Sequence, residues 1–279
     1  MSIAKPEAVE IREDRADLQK AQLLQSILPS PRSLKGATEL PLLSHWCQFH
    51  QTSGLAETGS DGHPKVGSFL PDTGLPRRMW AGSRIDFLAP VHAGASLKKV
   101  SSVKAVTPKE GASGKLCFVT VSHDISADGE AVIREEQDLV YRAEPGDKAA
   151  HPPRRVDPPQ GAQFEDVISP DPVMLFRFSA LTFNSHRIHY DREYAMQVER
   201  HEGLVVHGPL IATLLVDLLG RNTGWNRLRH FAFRAVSPLY DIRPFEISGK
   251  VDGGRATLWA HTRAGGLAMK AEAEFAGSD

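Results

Sequence analysis

The chain has 279 residues, 41% hydrophobic and 24% charged, a composition typical of a folded protein with one large domain or two ordinary ones. The 33 Lys and Arg residues nearly balance 34 Asp and Glu residues, so the net charge of −1 excludes a strong global attraction to nucleic acid or an anionic membrane. Two cysteines cannot build a disulfide framework, and without a secretory signal or a spanning apolar segment we expect a cytoplasmic protein.

The first half of the chain predicts one weak helix followed by a β-sheet. Leucines of Ala16–Leu28 fall on one helical face, but the pattern is short. Arg84–Gly111 predicts two strands separated by a turn that contains glycine. The β-rich runs Leu116–Ile125 and Ala131–Tyr141 flank an Asp-Gly turn, which predicts a long antiparallel hairpin.

A proline-rich segment follows the hairpin. Glu144–Gln163 contains five prolines and many charges, which disfavour both a helix and a central strand. We therefore expect this segment to be a linker between two domains. The first domain is predicted over residues 1–143 and the second over residues 164–279.

The second half predicts a buried helix followed by a sheet. Apolar residues of Leu210–Leu219 recur at i, i+1, i+4 and i+5, which places them on one helical face. Four strands in a meander are predicted after it, at Phe231–Ala235, Phe245–Val251, Thr257–Thr262 and Ala268–Phe275. Each half thus has a helix ahead of an antiparallel sheet, an α+β arrangement that occurs twice.

A short polar window precedes the second predicted helix. It has the sequence "FNSHRIHYDREYA" over Phe183–Ala195 and is followed by "GLVVHGPL" over Gly203–Leu210. These motifs resemble the MaoC-like hydratases and dehydratases of the hot-dog superfamily, whose motif has the form SGDxNPIHxDxxYA. His189 matches the motif histidine, whereas Asn184 stands where that family commonly has its catalytic aspartate.

The first half carries a second motif, "GHPKVGSFLPDTGLPRRMWAGSRIDF" over Gly62–Phe87. Both halves resemble one branch of the superfamily, which contains 3-hydroxyacyl-thioester dehydratases type 2, mesaconyl-C4-CoA (3-methylfumaryl-CoA) hydratases and itaconyl-CoA hydratases. The resemblance implies a double hot-dog fold, in which an antiparallel sheet wraps a long helix in each half. The first half would be degenerate and bind substrate and CoA, and the second would carry the acid-base residues.

The same resemblance implies a hydro-lyase that adds water to a branched C5 dicarboxylyl-CoA, such as itaconyl-CoA or mesaconyl-C4-CoA, and gives citramalyl-CoA. Histidine suits the proton transfer because its ordinary pKa, about 6.5, is close to working pH. We therefore expect His189 to be the acid-base residue and Asn184 to orient water or the thioester, since an amide cannot accept a proton at neutral pH. Gly208 would open the helix whose N–H groups hold the enolate oxygen.

Two hypotheses remain for the second proton-transfer role. Either His189 alone carries the proton, or a carboxylate elsewhere takes part. Asp191 and Glu193 are the nearest carboxylates in the sequence. Asp191 is equally suited to capping the short helix that follows it.

Substrate contacts are predicted from arginines and from neighbours of the motif histidine. A guanidinium forks onto carboxylate or phosphate oxygens, so we expect Arg187, the arginine closest to the motif, to bind the free carboxylate. The candidate substrate-binding residues are Arg187, His186, His207, Tyr190, Arg84, Trp80 and Arg234. No cofactor is expected because CoA is part of the acyl-CoA substrate, and a homo-oligomer is compatible with this fold.

Other functions remain open at this point. The pattern also fits a 3-hydroxyacyl-thioester dehydratase of fatty-acid metabolism, and the same fold hosts thioesterases. Loss of the family aspartate would fit a noncatalytic acyl-CoA-binding protein. A metal site of His186, His189 and Asp191 is disfavoured, because residues i and i+3 converge only in a helix and this window predicts turn and β structure. We therefore predict no metal.

Overall fold

The computed structural model describes residues 6–111, 114–143, 155–225 and 227–277. These residues contain three α-helices: α1 (Leu18–Gln25), α2 (Pro172–Thr182) and α3 (Gly208–Thr223). They also contain ten strands: β1 (Val9–Arg15), β2 (Arg77–Phe87), β3 (Ser96–Gly111), β4 (Gly114–Ala127), β5 (Glu130–Arg142), β6 (Phe164–Ile168), β7 (Leu228–Ala235), β8 (Phe245–Asp252), β9 (Arg255–Thr262) and β10 (Leu267–Phe275).

All ten strands belong to one antiparallel sheet whose two halves meet in its middle. The order is β1-β3-β4-β5-β2-β7-β10-β9-β8-β6, so β2 and β7 join the first half of the chain to the second. At Gly82 a Cβ atom would lie 2.3 Å from the carbonyl oxygen of Phe233, which makes glycine necessary for this close approach. The predicted α+β class is confirmed.

The predicted helices and strands are present. Helix α3 is more deeply buried than α1, as its stronger apolar pattern predicts. Eleven of the 16 residues of α3 are buried, against three of the eight residues of α1. Helix α3 packs on β6, β8, β9, β10 and β2, so the main hydrophobic core lies between this helix and the sheet. No helix among the described ranges is long and apolar enough to cross a membrane.

The predicted meander is wrong in part. Strand β7 pairs with β2 and β10, so of the four strands predicted to form the meander only β8, β9 and β10 are both consecutive and adjacent. Three further elements, β1, β6 and α2, were not predicted. Of the predicted linker, residues 144–154 lie outside the described residues, and residues 155–163 have no helix or strand. The division into two domains stays a prediction.

Candidate active site

Four histidine rings lie beside one another along the wall of a cavity of about 650 Å³. The ring centroids of His63 and His186 are 4.1 Å apart, and those of His186 and His189 are 5.5 Å apart. His189 and His207 are stacked, with centroids 3.6 Å apart. His63 belongs to the loop before β2 and the other three to the segment between α2 and α3, so both halves of the chain build the site.

Helix caps and a tight turn shape the polar window. Helix α2 begins after Asp171, whose side chain accepts a hydrogen bond from the N–H of Met174, and it ends at Phe183 in the left-handed conformation. The Asn184 side-chain oxygen then accepts the N–H of His186 at 3.0 Å. A single 3₁₀ turn over Arg187–His189 follows and directs the motif histidine into the interior.

His189 is buried and held in one tautomer. Its Nδ1 lies 2.7 Å from the carbonyl oxygen of Val205. Because a carbonyl only accepts, Nδ1 carries the hydrogen and Nε2 keeps a lone pair. Burial lowers the pKa of His189 to about 3, so the ring is neutral near pH 7. Such a ring can accept a hydrogen bond or a proton from a water molecule.

The start of α3 lies next to this ring. His207 precedes the helix, and its Nε2 is 2.8 Å from the Ser179 hydroxyl oxygen. Its Nδ1 is buried without a hydrogen-bond partner among the described residues. Gly208 opens the helix and lines the cavity. The first N–H groups of a helix lack partners within it and carry partial positive charge, so this end can stabilise a developing oxyanion.

The loop that carries His63 is docked on the polar window. The backbone N–H of Arg187 donates to the carbonyl oxygen of Asp61 at 2.9 Å, and the Ser185 hydroxyl donates to that of Gly62. Nδ1 of His63 donates to the Asp61 carboxylate at 2.9 Å. The result is an aspartate–histidine pair beside His186. The first-half motif begins at Gly62 and contains His63, but neither Asp61 nor His63 was predicted to be a site residue.

Six of the ten predicted site residues line the cavity, and four do not. Those that line it are His189, Asn184, Gly208, His186, His207 and Trp80. Those absent from its wall are Arg187, Tyr190, Arg84 and Arg234.

The predicted arginine contacts therefore need correction. The Arg187 guanidinium is 2.8 Å from the Asp191 carboxylate and stacks on the ring of Tyr194, which directs it away from the cavity. Arg84 is bound to Glu136 and Asp138 on β5.

Neither carboxylate considered from the sequence lines the cavity. Asp191 accepts the N–H of Tyr194 at 3.0 Å and so caps the short helical segment, as one hypothesis held. The window contains a 3₁₀ turn rather than β structure. The side chains of His186, His189 and Asp191 still do not converge on one point, because the Asp191 carboxylate binds Arg187. A different group, Asp61, His63 and His186, has ligand atoms within 4.8 Å of one another and could hold a metal ion.

Arg78, which sequence reasoning missed, is a cavity arginine that could bind an anion. It belongs to the quoted "LPRRMWAG" stretch, and its Nη2 lies 3.5 Å from the carbonyl oxygen of Pro64. It forms no ion pair with any residue that the structure describes, whereas its neighbour Arg77 is bound to Glu199.

The first half contributes a buried polar cluster to the cavity wall. The Glu135 carboxylate is buried and accepts hydrogen bonds from the indole N–H of Trp46 at 3.1 Å and the Ser83 hydroxyl at 2.7 Å. Nε2 of His45 is 3.0 Å from it. Burial raises the pKa of Glu135, but the hydrogen bond and charge of His45 outweigh this and lower it to about 2. A buried carboxylate therefore stays ionised in this wall.

Comparison with known sequences identifies the family. Residues 43–241 match the family described as hydroxyacyl-thioester dehydratase type 2. Over 266 residues the chain is 41% identical to the mesaconyl-C(4)-CoA hydratase of Chloroflexus aurantiacus, covering 95% of this chain and 94% of that one. It is 26% identical to the mitochondrial hydroxyacyl-thioester dehydratase type 2 of Schizosaccharomyces pombe, covering 73% and 75% respectively.

A solved structure gives the same result for the fold. The MaoC-like dehydratase from Phytophthora capsici superposes with a TM-score of 0.69 at 16% identity, covering 99% of this chain and 97% of that one. At this identity the likeness concerns the fold alone. It confirms the expected double hot-dog architecture.

Proposed function

The chain belongs to the hydroxyacyl-thioester dehydratase type 2 family of hydro-lyases, and we propose that it adds water to a branched C5 dicarboxylyl-CoA such as mesaconyl-C4-CoA or itaconyl-CoA, giving citramalyl-CoA. The observation that carries this proposal is one cavity that holds both the neutral ring of His189 and the unpaired guanidinium of Arg78. The first can hold and orient a water molecule, and the second can bind a substrate carboxylate.

In the proposed reaction of mesaconyl-C4-CoA, whose double bond is conjugated with the thioester, the thioester oxygen points at the N-terminus of α3, next to Gly208. Water, held by Nε2 of His189, attacks the β-carbon of the double bond. The π electrons move towards the thioester oxygen to form an enolate, which the helix N–H groups stabilise. The proton that the water loses is returned to the α-carbon, which completes the addition. This scheme needs no cofactor beyond the CoA of the substrate.

A short, polar acyl group matches the polar part of the cavity wall. Glu135 with its partner His45, and Lys99, line it on the side of the first half. An alkyl chain against these groups would bury their polar atoms without offering hydrogen bonds, which is unfavourable. Because Arg78 lines the cavity and Arg187 does not, we propose that Arg78, and not Arg187, binds the free carboxylate.

A second candidate is a 3-hydroxyacyl-thioester dehydratase that acts on longer chains. A second cavity of about 400 Å³, lined largely by the segment after α1, by α3 and by strands of the first half, shares His45, Gln48 and Ile125 with the first. It could hold an alkyl chain if these shared side chains moved apart. A thioesterase is less favoured, because the helix start at His207-Gly208 has no carboxylate to act as nucleophile or base.

The test is a substrate panel. Purified protein is incubated with mesaconyl-C4-CoA, itaconyl-CoA, mesaconyl-C1-CoA and crotonyl-CoA, the loss of enoyl-thioester absorbance is followed, and products are identified by mass. Fast hydration of a C5 dicarboxylyl thioester supports the proposal. Turnover of crotonyl-CoA alone favours the second candidate, and release of free CoA would indicate a thioesterase. Binding without turnover would refute catalysis.

A further inference from the structure

We propose that the Asp61–His63 pair is the acid-base group of this site: His63 takes a proton from the attacking water and returns it to the α-carbon. This inference rests on the proposed hydration chemistry and adds a residue pair from the other half of the chain. It gives His189 the role of holding and orienting the water.

Asn184 and the carboxylates that line the cavity are poorly suited to accept the proton of the water. The side-chain oxygen of Asn184 is used by the N–H of His186, and an amide is not a base near pH 7. The cavity also has carboxylates at Glu10, Glu135 and Glu199. Each of these three already has a cationic or histidine partner, at Arg12, His45 and Arg77 respectively.

The geometry of His63 suits a proton acceptor. Asp61 accepts both Nδ1–H and the backbone N–H of His63, each at 2.9 Å, which fixes the ring and leaves the lone pair on Nε2. His63 lines the cavity, and its ring lies 4.1 Å from that of His186. Burial and the charge of Arg78 lower the pKa of His63, but the hydrogen bond and charge of Asp61 oppose this and stabilise an imidazolium, as in other aspartate–histidine pairs.

His189 lacks this support. Its Nδ1 is bonded to a neutral carbonyl, and the rings nearest to it are those of His186 and His207. Burial lowers the pKa of both these neighbours, so they are uncharged near pH 7 and provide no counter-charge. A proton on His189 would be a buried, unpaired charge, which is costly. His63 is therefore the better proton carrier of the two.

The proposed step is balanced without any further reactant. One O–H bond of water breaks and its proton goes to Nε2 of His63, while the hydroxyl oxygen bonds to the β-carbon. The π pair becomes the enolate, and His63 then gives the proton to the α-carbon. The net change is addition of one water, and His63 returns to its neutral form.

The test is His63→Asn, because the asparagine amide can still donate to Asp61 while the Nε2 base is removed. We expect kcat to fall about 10²- to 10⁴-fold, with KM within a few fold and the same melting temperature. His92→Asn, at an exposed position outside the cavity, is the matched control and should keep wild-type kcat. In His63→Gly, added imidazole should restore part of the activity, which a structural role alone would not allow.

Asp61 is a positioning residue in this scheme. Asp61→Asn removes the charge that favours the imidazolium, so kcat should fall while KM stays within a few fold and the melting temperature is unchanged. Wild-type kcat in His63→Asn would overturn the proposal. So would activity that a chelator abolishes and Zn²⁺ restores, because Asp61, His63 and His186 would then be metal ligands.

The assays use whichever enoyl-CoA of the panel the wild-type protein hydrates. A protein that hydrates only crotonyl-CoA contradicts the proposed substrate but still decides the role of His63. A protein that hydrates none of them contradicts both proposals.

Discussion

The imidazole rings of His63 and His186 lie with their centroids 4.1 Å apart, although the two residues come from opposite halves of the chain. The contact depends on the loop around Gly62, which packs against the backbone of Ser185. The four neighbouring histidine rings, those of His63, His186, His189 and His207, therefore come together only when the first half is docked on the second. This explains how a half without the motif histidine can still contribute to the chemistry.

Replacing Gly62 with Ala should separate these two histidines. Gly62 has φ of +91°, and an added Cβ would lie 1.9 Å from the carbonyl oxygen of Ser185, so the loop must move. Misplacement by about 1 Å costs about 100-fold in rate, and we expect a loss of kcat of this order. The control is Gly74→Ala, which has φ of +68° but no atom within 4 Å of the added Cβ. Equal losses of kcat in both variants would show that backbone strain, not docking, is responsible.

Gly208→Ala tests the proposed oxyanion site. The added Cβ would be 3.7 Å from the carbonyl oxygen of Trp80 and 3.9 Å from Cε of Met269, which are ordinary contacts. We expect the free energy of unfolding in urea to change by less than about 1 kcal/mol. The methyl group would nevertheless crowd the helix N–H groups, so kcat should fall at least about tenfold. Unchanged kcat would remove Gly208 from the site.

Arg78→Gln tests recognition of the substrate carboxylate. A charge-assisted hydrogen bond contributes about 1.5–3 kcal/mol, so KM for a dicarboxylyl-CoA should rise about 10- to 100-fold. KM for crotonyl-CoA, which has no free carboxylate, should change only slightly. Arg84→Gln, outside the cavity, is the control and should alter neither value. An equal rise for both substrates would contradict a carboxylate-specific role.

The buried histidines should make the fold sensitive to mild acid. Burial lowers the pKa of His189 to about 3 and also lowers the pKa of His186 and of His207. Between the ordinary histidine pKa and these lower values, the unfolded chain binds more protons than the folded one. The free energy of unfolding should therefore fall as pH drops below about 6.5, by up to about 1.4 kcal/mol per pH unit for each residue.

Urea unfolding at pH 7.5 and pH 5 measures this dependence. His207→Asn should be less sensitive to pH than the wild type, since it has one fewer histidine to protonate. His92→Asn, which replaces an exposed ring, should keep the wild-type dependence. Equal stability of the wild-type protein at both pH values would contradict the conclusion that these histidines are buried in their neutral form.

The sequence predicts the strands of strong alternation and the apolar helix α3, because those patterns are local. It misses β1, whose sequence VEIREDR is mostly charged and alternates between exposed and half-buried positions at a sheet edge. It also misses the pairing of β7 with β2 and β10. Strand order depends on contacts between distant segments, which no local pattern specifies.

The same distinction applies to the site. The motif window identifies His189 and its neighbours, since they are close in sequence. Arg187 was predicted to contact the substrate because it is close to the motif histidine in sequence, but its guanidinium is bound to Asp191. His63 and Arg78 enter the cavity from the first half, and nothing in their local sequence indicates which segment they will face.

The most direct test of the account is kcat for hydration of mesaconyl-C4-CoA by the wild-type protein and by His189→Asn. The asparagine can still donate to the carbonyl oxygen of Val205, but it removes the Nε2 lone pair that holds the water. We expect the wild-type protein to form citramalyl-CoA and the variant to lose at least about 100-fold in kcat with an unchanged melting temperature. A variant as active as the wild type, or a wild-type protein without hydratase activity, would contradict the account.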